Sequence, residues 1–339
     1  MTVTDTATGW SPADDACVLT GGVIMITGGT GSLGRAFIEY ALTNLDPRRI
    51  IIYSRDELKQ FELREHFGRA PRLQWIIGDI RDLDRLRSAM RGVEYVVHAA
   101  ALKQVDTAEL NAIEYVRTNV NGSHNVAQAS MEAGVRKVIA LSTDKASSPV
   151  NLYGASKLCS DKLFVSANYA SENHGTRFSV VRYGNVIGSR GSVIPFFKRL
   201  AAEGKPLPIT DKRMTRFWIT IDQAVEFIVN SFRMMRGGEL FVPRIPSMRV
   251  VELAQAIAPG APFHEVGIRP GEKLHEEMIA AADAHRTVRF GERYVVLPAL
   301  PGADSEISVE NRLPDGFSYR SDSNDRWINT ADFQTLIGE

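Results

Sequence analysis

The stretch that most limits what this chain can fold into runs from residue 23 to residue 45. Val23-Ile24-Met25-Ile26-Thr27 is a short β-branched strand that leads directly into Gly28-Gly29-Thr30-Gly31-Ser32-Leu33-Gly34. A strand that enters a glycine turn and leaves as a helix is the first unit of a doubly wound parallel sheet. Gly28 permits the tight turn, Gly31 lets the backbone approach a pyrophosphate, and Gly34 lets the helix lie close on its strand. The helix from Ser32 to about Leu45 presents its unpaired N-terminal amides to phosphate. Gly28, Thr30, Gly31, Ser32, Leu33 and Gly34 are therefore the first candidate cofactor contacts. The bland reading of the same residues is a glycine-rich turn with no ligand.

The strands that follow extend the pattern. Ile50-Ile51-Ile52-Tyr53 is the second, and a site that prefers NAD usually ends this strand in Asp or Glu. Here Ser54-Arg55 stands there, with Lys59 a turn further on, and an arginine can hold a 2′-phosphate by a charge-assisted pair. The expected cofactor is therefore NADP, held in part by Ser54, Arg55 and Lys59. Leu73 to Ile77 is the third strand, followed by Gly78-Asp79-Ile80. Tyr95 to His98 is the fourth; Ala99, Ala100 and Ala101 are small enough to let a nicotinamide come close, while His98 reads as a satisfied core histidine. Asn119 lies on a long helical stretch to Gly134 that should pack on the sheet.

Alternating strands and helices from residue 22 to about 185 predict an α/β fold, a doubly wound parallel (Rossmann) sheet. The expected organisation is a disordered tail over 1–21, a dinucleotide-binding domain over 22–185 and a smaller α/β lobe over 186–339, with an interleaved boundary. Lys plus Arg and Asp plus Glu both number 40, so no basic excess points to nucleic acid or to an anionic membrane. Cys17 and Cys159 make neither a metal spacing nor a disulfide framework. His275-Glu276-Glu277 lacks the second histidine of a zinc motif, so no metal is expected. No apolar run approaches a membrane span and the first residues lack a signal pattern, which predicts a cytoplasmic protein.

The chemistry concentrates in Ser142-Thr143-Asp144-Lys145 and Asn151-Leu152-Tyr153-Gly154-Ala155-Ser156-Lys157. Tyr153 and Lys157 share one helical face. An ammonium beside a phenol favours the phenolate and lowers its pKa from about 10. That makes Tyr153 a base towards an alcohol, provided a hydride acceptor lies alongside. Thr143 ends the apolar run Val138 to Leu141, and its hydroxyl can bond the same substrate oxygen. Read alone, a tyrosine and lysine at this spacing would be a solvated surface pair.

Thr143 with Tyr153-x-x-x-Lys157 resembles the extended, nucleotide-sugar-modifying branch of the short-chain dehydrogenase/reductase superfamily. Longer runs narrow the resemblance: Arg182-Tyr183-Gly184-Asn185-Val186, Gly188 to Pro195, Met214-Thr215-Arg216-Phe217-Trp218 and Gly267 to Glu276. Together they resemble the inverting UDP-N-acetylglucosamine 4,6-dehydratases, over nearly everything from Val23 onward. The resemblance implies catalytic roles for Thr143, Asp144, Lys145, Tyr153 and Lys157, with the last two and Asn119 also at the cofactor. It implies that Asp79 and Ile80 clamp adenine. Lys103 would reach the sugar and Asn185 the phosphate or the sugar, Val193 would open a helix towards the diphosphate, Arg216 would hold phosphate and Arg269 phosphate or ribose, with Glu272 also at the substrate. It further implies a homo-oligomer, such as a hexamer. The chain departs from the family at its N-terminal extension and at Val105-Asp106-Thr107 and Asn111-Ala112, where relatives tend to carry proline after Val105 and Asn111.

The implied reaction is a cycle with no net redox change. Tyr153 takes the 4-hydroxyl proton as hydride leaves C4; the ketone acidifies C5–H; a base removes that proton, water leaves from C6, and hydride returns to C6. Lys145 stands where the retaining dehydratases have Glu, and as base it must be neutral, which burial and a nearby positive charge would favour. Asp144 would protonate the departing 6-hydroxyl or orient a water that does. The product would be UDP-2-acetamido-2,6-dideoxy-β-L-arabino-hex-4-ulose, the opening of an L-sugar or pseudaminic-acid-type pathway. Rival readings are a retaining 4,6-dehydratase, a 4-epimerase, and a catalytically idle dinucleotide sensor.

Overall fold

A computed structural model describes residues 18–171, 174–189, 193–299 and 311–338. Its centre is a nine-stranded sheet. Strands β1 (Val23–Thr27), β2 (Arg49–Ser54), β3 (Leu73–Ile77), β4 (Tyr95–His98), β5 (Lys137–Thr143) and β6 (Arg177–Tyr183) run in parallel in the order β3-β2-β1-β4-β5-β6. Leu240–Pro243 joins β6 in parallel, and Arg293–Val296 with Thr287–Phe290 closes that edge antiparallel. The sheet thus takes strands from both sides of residue 185. Every residue of β1 is buried, as expected of a parallel strand covered on both faces, whose sequence reads as an unbroken apolar run.

The strand order reverses between β1 and β4, and a ligand crevice forms outside the carboxyl ends of strands at such a point. The glycine turn stands there. Gly28 has φ +68°, and a Cβ on it would lie 2.8 Å from the Ala100 backbone. A Cβ on Gly34 would lie 2.5 Å from the Gly29 carbonyl oxygen, so the helix Ser32–Asn44 packs on its own turn only without one.

Beyond β6 a second core forms around Phe197, Trp218, Met248, Leu253, Ile257 and Phe333. The C-terminal stretch docks through Tyr319, whose hydroxyl donates to the Ile245 carbonyl and accepts from the Ile245 amide, at 3.0 and 2.9 Å. Trp327 stays half exposed.

Two expectations change shape. Leu19 is fully buried and Gly21 donates to the Asp46 carbonyl, so residues 18–21 pack against the sheet domain instead of belonging to a tail. Residues 1–17, with Cys17, and part of the Gly188 to Pro195 run lie outside the described residues. The helical stretch through Asn119 is also not one helix: Val105–Leu110 and Ala112–Tyr115 break at Asn111, and a π-helical turn, Val116–Asn121, precedes Gly122–Glu132. Among the described residues no helix is long and apolar enough to cross a membrane.

Candidate active site

A cleft of about 820 Å³ opens at the carboxyl ends of the strands. Its first wall is the glycine turn: Gly28, Thr30, Gly31, Ser32, Leu33 and Gly34 all line it. Ser54, Arg55, Lys59, Asp79, Ile80 and Ala99 to Ala101 line it further along. The Thr30 and Ser54 hydroxyls are bonded at 2.9 Å, which ties the turn to the end of β2. His98 is fully enclosed, with its ring nitrogens 2.8 Å from the Thr27 hydroxyl and 3.2 Å from that of Ser123. Burial, then Lys157, pulls its pKa down to about 3.

Arg55 and Lys59 do not stand alone. Arg55 pairs with Asp79 at 3.6 Å and Lys59 with Asp56 at 2.6 Å. Asp56 caps the helix Glu57–Phe67 and lines the cleft, so an acid does stand beside the end of β2, two residues past Ser54. Asp79 is shared with Arg81 at 2.7 Å; burial opposes its charge, but the Arg81 bonds hold its carboxyl below the usual range.

Asn119 does not reach the cleft. The π-helical turn aims its side chain at the loop after β4, where Oδ1 accepts from the Leu102 amide and Nδ2 donates to the Leu102 carbonyl, both at 2.9 Å. Nδ2 also donates to the Ser156 hydroxyl at 3.0 Å. It clamps the Lys103 loop to the helix Leu152–Ala170.

The second wall carries the chemistry. Thr143 ends β5, Asp144–Ala146 form a short 3-10 turn, and Asn151 caps the helix that presents Tyr153 and Lys157. Thr143, Lys145, Tyr153 and Lys157 line the cleft; Asp144, fully buried, sits behind them. The Thr143 hydroxyl donates to Asp144 Oδ1 at 3.0 Å, and Lys145 Nζ donates to the same oxygen at 3.0 Å. Burial raises the Tyr153 pKa to about 12, tempered by Lys145 and by a hydrogen bond with Thr143. Burial lowers the pKa of Lys157, and Asp161 pulls it back.

A residue with no expected role completes this wall. Glu276 lines the cleft, nearly fully buried, with Oε1 3.2 Å from Lys145 Nζ and 3.6 Å from Arg216 Nε. Burial works against the Lys145 ammonium, but Asp144 and Glu276 outweigh it and hold its pKa above the ordinary lysine range. Lys145 therefore rests protonated, contrary to the expectation of a neutral amine. The Asp144 pKa is raised as well: burial and Glu276 push it up despite Lys145. Nothing in the run His275-Glu276-Glu277 signals this, because Lys145 becomes its neighbour only when the lobes close.

The substrate side is mixed. Lys103, Asn185, Val193, Arg216 and Glu272 line the cleft. Arg216 is buried and much of its guanidinium is engaged within the protein, donating to the Thr215, Leu274 and Lys273 carbonyls at 2.7, 3.2 and 3.1 Å. Arg269 is exposed and lies outside the cleft: the chain turns at Gly271 (φ +79°), which leaves Glu272 at the wall and Arg269 beyond it. Lys273 and Trp218, unforeseen, also line the cleft, and the buried indole N–H of Trp218 has no partner among the described residues. Among those residues no group of three or more His, Cys, Asp or Glu could hold a metal ion.

Similarity to known proteins follows the same outline. The family model described as polysaccharide biosynthesis protein matches residues 24–298. The UDP-N-acetylglucosamine 4,6-dehydratase (inverting) of Campylobacter jejuni is 52% identical over 323 residues, covering 93% of this chain and 96% of that protein. Among solved structures, Pen from Bacillus thuringiensis superposes with a TM-score of 0.86 at 33% identity, covering 94% of this chain and 98% of Pen. DesIV, a dTDP-glucose 4,6-dehydratase from Streptomyces venezuelae solved with NAD bound, gives 0.67 at 26% identity over 74% of this chain and 86% of DesIV. The NADP expected from Arg55 is overturned by that NAD-bound relative. The physical reason is in the cleft: both cations that would meet a 2′-phosphate already have acidic partners, and Asp56, just past the end of β2, lines the same wall.

Proposed function

The chain belongs to the polysaccharide biosynthesis protein family, within the short-chain dehydrogenase/reductase superfamily, and from that premise we propose that it is an inverting UDP-N-acetylglucosamine 4,6-dehydratase. It is a hydro-lyase that converts UDP-N-acetylglucosamine to the L-arabino 4-ketone. The observation that carries this reading is Lys145, set in the cleft beside Tyr153 and held between two buried carboxylates. An epimerase needs only Tyr153 and Lys157; the cluster of Asp144, Lys145 and Glu276 is machinery for moving a further proton.

The cleft suits a dinucleotide, since Gly28, at φ +68° and tight against the Ala100 backbone, turns the chain so that Gly31 and the start of the next helix line it. NAD, the cofactor of the solved DesIV, supplies hydride acceptance at C4 and hydride return at C6, and brings a positive charge beside the phenol. Gly28 to Gly34 would hold its phosphates, and Ala99 to Ala101 would leave room for its nicotinamide. Tyr153, neutral at rest, would release its phenolic proton to water once that charge favours the phenolate, and the phenolate would then take the 4-hydroxyl proton. Lys145 then passes its proton to Asp144, whose raised pKa makes it a ready acceptor. The free amine takes the proton from C5, and the electron pair of that bond forms the C5–C6 double bond as the C6–O bond breaks. The proton held by Asp144 reaches the departing oxygen through the Thr143 hydroxyl, 3.0 Å away. Lys145 is again an ammonium and Asp144 again a carboxylate. Protonation of C5 by water from the face opposite Lys145 would then invert that centre. Such positioned proton transfers contribute roughly 10²–10⁴-fold each.

The reading also takes the protein to be cytoplasmic and a homo-oligomer, such as a hexamer, with no nucleic acid partner; native mass measurement tests the assembly. The reaction itself is tested by proton NMR of early product formed from UDP-N-acetylglucosamine in D₂O. Deuterium at C5 and L-arabino coupling are expected. A D-xylo ketone formed first would make the enzyme retaining, and a C4 epimer with its 6-hydroxyl intact would make it an epimerase.

A further inference from the structure

The strap formed by residues 271–277 crosses from the C-terminal lobe onto the catalytic turn. Asn151 Nδ2 donates to the Gly271 carbonyl at 2.7 Å, Lys273 Nζ donates to the Ser147 carbonyl at 2.5 Å, and the Ser147 and Ser148 hydroxyls donate to Glu277 at 3.1 and 2.6 Å. Glu276 lies at the end of this strap with its backbone fixed on both sides by Ser321: its amide donates to the Ser321 hydroxyl at 2.9 Å, and its carbonyl accepts from the Ser321 amide at 2.8 Å. With its backbone held on both sides, the Glu276 side chain points at Lys145.

Resting on the dehydratase reading, we propose that Glu276 is a positioning residue for the elimination: it fixes the Lys145 ammonium in the cleft and keeps the one transferable proton on the Lys145–Asp144 pair.

Geometry divides the two carboxylates. Asp144 meets one cation, Lys145, and one hydroxyl, Thr143. Glu276 meets Lys145 and Arg216 directly, with Lys273 acting on it as a third cation. Counting cations, Glu276 is the carboxylate that stays ionised and Asp144 the one that can accept a proton. Two acids in one site whose surroundings push their pKa values apart take different roles. Burial opposes the charge on Glu276, but Lys145, Arg216 and Lys273 hold its pKa down, the opposite direction to Asp144. The remaining groups near the cluster are Tyr153 and Lys157 from the helix, and His275 and Glu277 from the strap. His275 is turned away, 2.8 Å from the Thr215 hydroxyl and 3.9 Å from Asp322. Glu277 is occupied by the two serines. Glu276 Oε2 and Asp144 Oδ2 have no partner among the described residues, so both carboxylates keep an open acceptor.

The sign of the pH effect follows. A negative charge beside Lys145 and Asp144 raises the pKa of both, so the pair keeps its shared proton to higher pH. Without that charge the proton is lost earlier, and elimination fails at lower pH while oxidation at C4, which uses Tyr153, does not.

The test is Glu276→Gln, followed in single turnover with UDP-N-acetylglucosamine, reading reduced-cofactor absorbance for oxidation and C5 solvent-deuterium incorporation for elimination. The expected result is an elimination phase slowed by about 10²-fold, reduced cofactor accumulating, and the alkaline limb of elimination displaced to lower pH by about one unit or more. Equal slowing of both phases with an unmoved limb would show that Glu276 only supports the fold, and overturns the proposal. Glu276→Asp keeps the charge and should retain the limb while slowing elimination less; if the glutamine variant does not fold, this variant decides, and wild-type rates in it overturn the proposal. A wild-type enzyme that does not dehydrate the substrate sinks the dehydratase reading instead, so the two failures are distinct.

Discussion

The glycine turn of residues 28–34 and the ionic cluster around Lys145 line the same cleft and arise by opposite routes. The turn is contiguous: each of its parts follows from the backbone freedom of a glycine or from a neighbour a few residues away. The cluster is assembled from the 3-10 turn after β5, from the strand carrying Arg216 and from the strap carrying Glu276, segments far apart in the sequence. The first kind of site is bounded by local sterics, which a sequence displays directly. The second is a balance of buried charges, and changing one member changes the protonation of all.

The largest effects should come from breaking the cluster, and they should differ by member. Tyr153→Phe removes the base for the 4-hydroxyl, so neither oxidation nor elimination proceeds; a loss of at least about 10²–10⁴-fold is expected. Lys145→Ala should leave the first oxidation measurable and stop elimination by a similar factor. Stopped-flow absorbance separates the two, since reduced cofactor appears in the lysine variant and not in the phenylalanine variant. Wild-type turnover by Lys145→Ala would remove it from the mechanism and make the cluster structural.

A middle-sized effect should come from the clamp that joins the two walls. Asn119→Ala removes three hydrogen bonds at a buried position and leaves the Leu102 amide and carbonyl without their partner. Leaving buried groups unpaired costs about 1–3 kcal/mol each. A lowered melting temperature is expected, with KM raised more than kcat falls, because the loss frees the Lys103 loop and not the acid–base groups. A selective fall in affinity for the dinucleotide would return Asn119 to the cofactor site.

These contrasts mark what the sequence could carry. The sheet, its first glycine turn, and the grouping of Thr143, Lys145, Tyr153 and Lys157 were legible because strand, turn and helix signals lie next to the residues they place. Cofactor choice is not legible at Arg55, because its partner Asp79 follows another strand and because Asp56 reads as a helix cap before it reads as an acid of the cleft. The charge of Lys145 is not legible locally, because its partner Glu276 stands far along the chain. The break at Asn111 and the π-helical turn that aims Asn119 leave no periodicity signal, since one extra residue in a turn alters direction and not composition.

The smallest effect is expected at Arg269, where a local reading and the assembled cleft disagree most simply. Its place in Arg269-Pro270-Gly271-Glu272 suggests a phosphate or ribose contact, and a guanidinium suits either. The turn at Gly271 instead leaves Arg269 exposed and off the wall, while Glu272 faces the cleft and accepts weakly from the Arg269 amide at 3.4 Å. An exposed cation without a fixed partner at the site contributes little across solvent and is screened by salt. Arg269→Ala should therefore change KM for UDP-N-acetylglucosamine by about twofold or less, the effect of a surface substitution near ±0.5 kcal/mol. Glu272→Ala, three residues on, should change it more. Steady-state kinetics of the two variants at low and moderate salt decide the matter. A tenfold rise in KM for Arg269→Ala, steepened by lowering the salt, would mean that this segment swings its arginine onto the diphosphate when substrate binds, and that the strap is a moving part of the site.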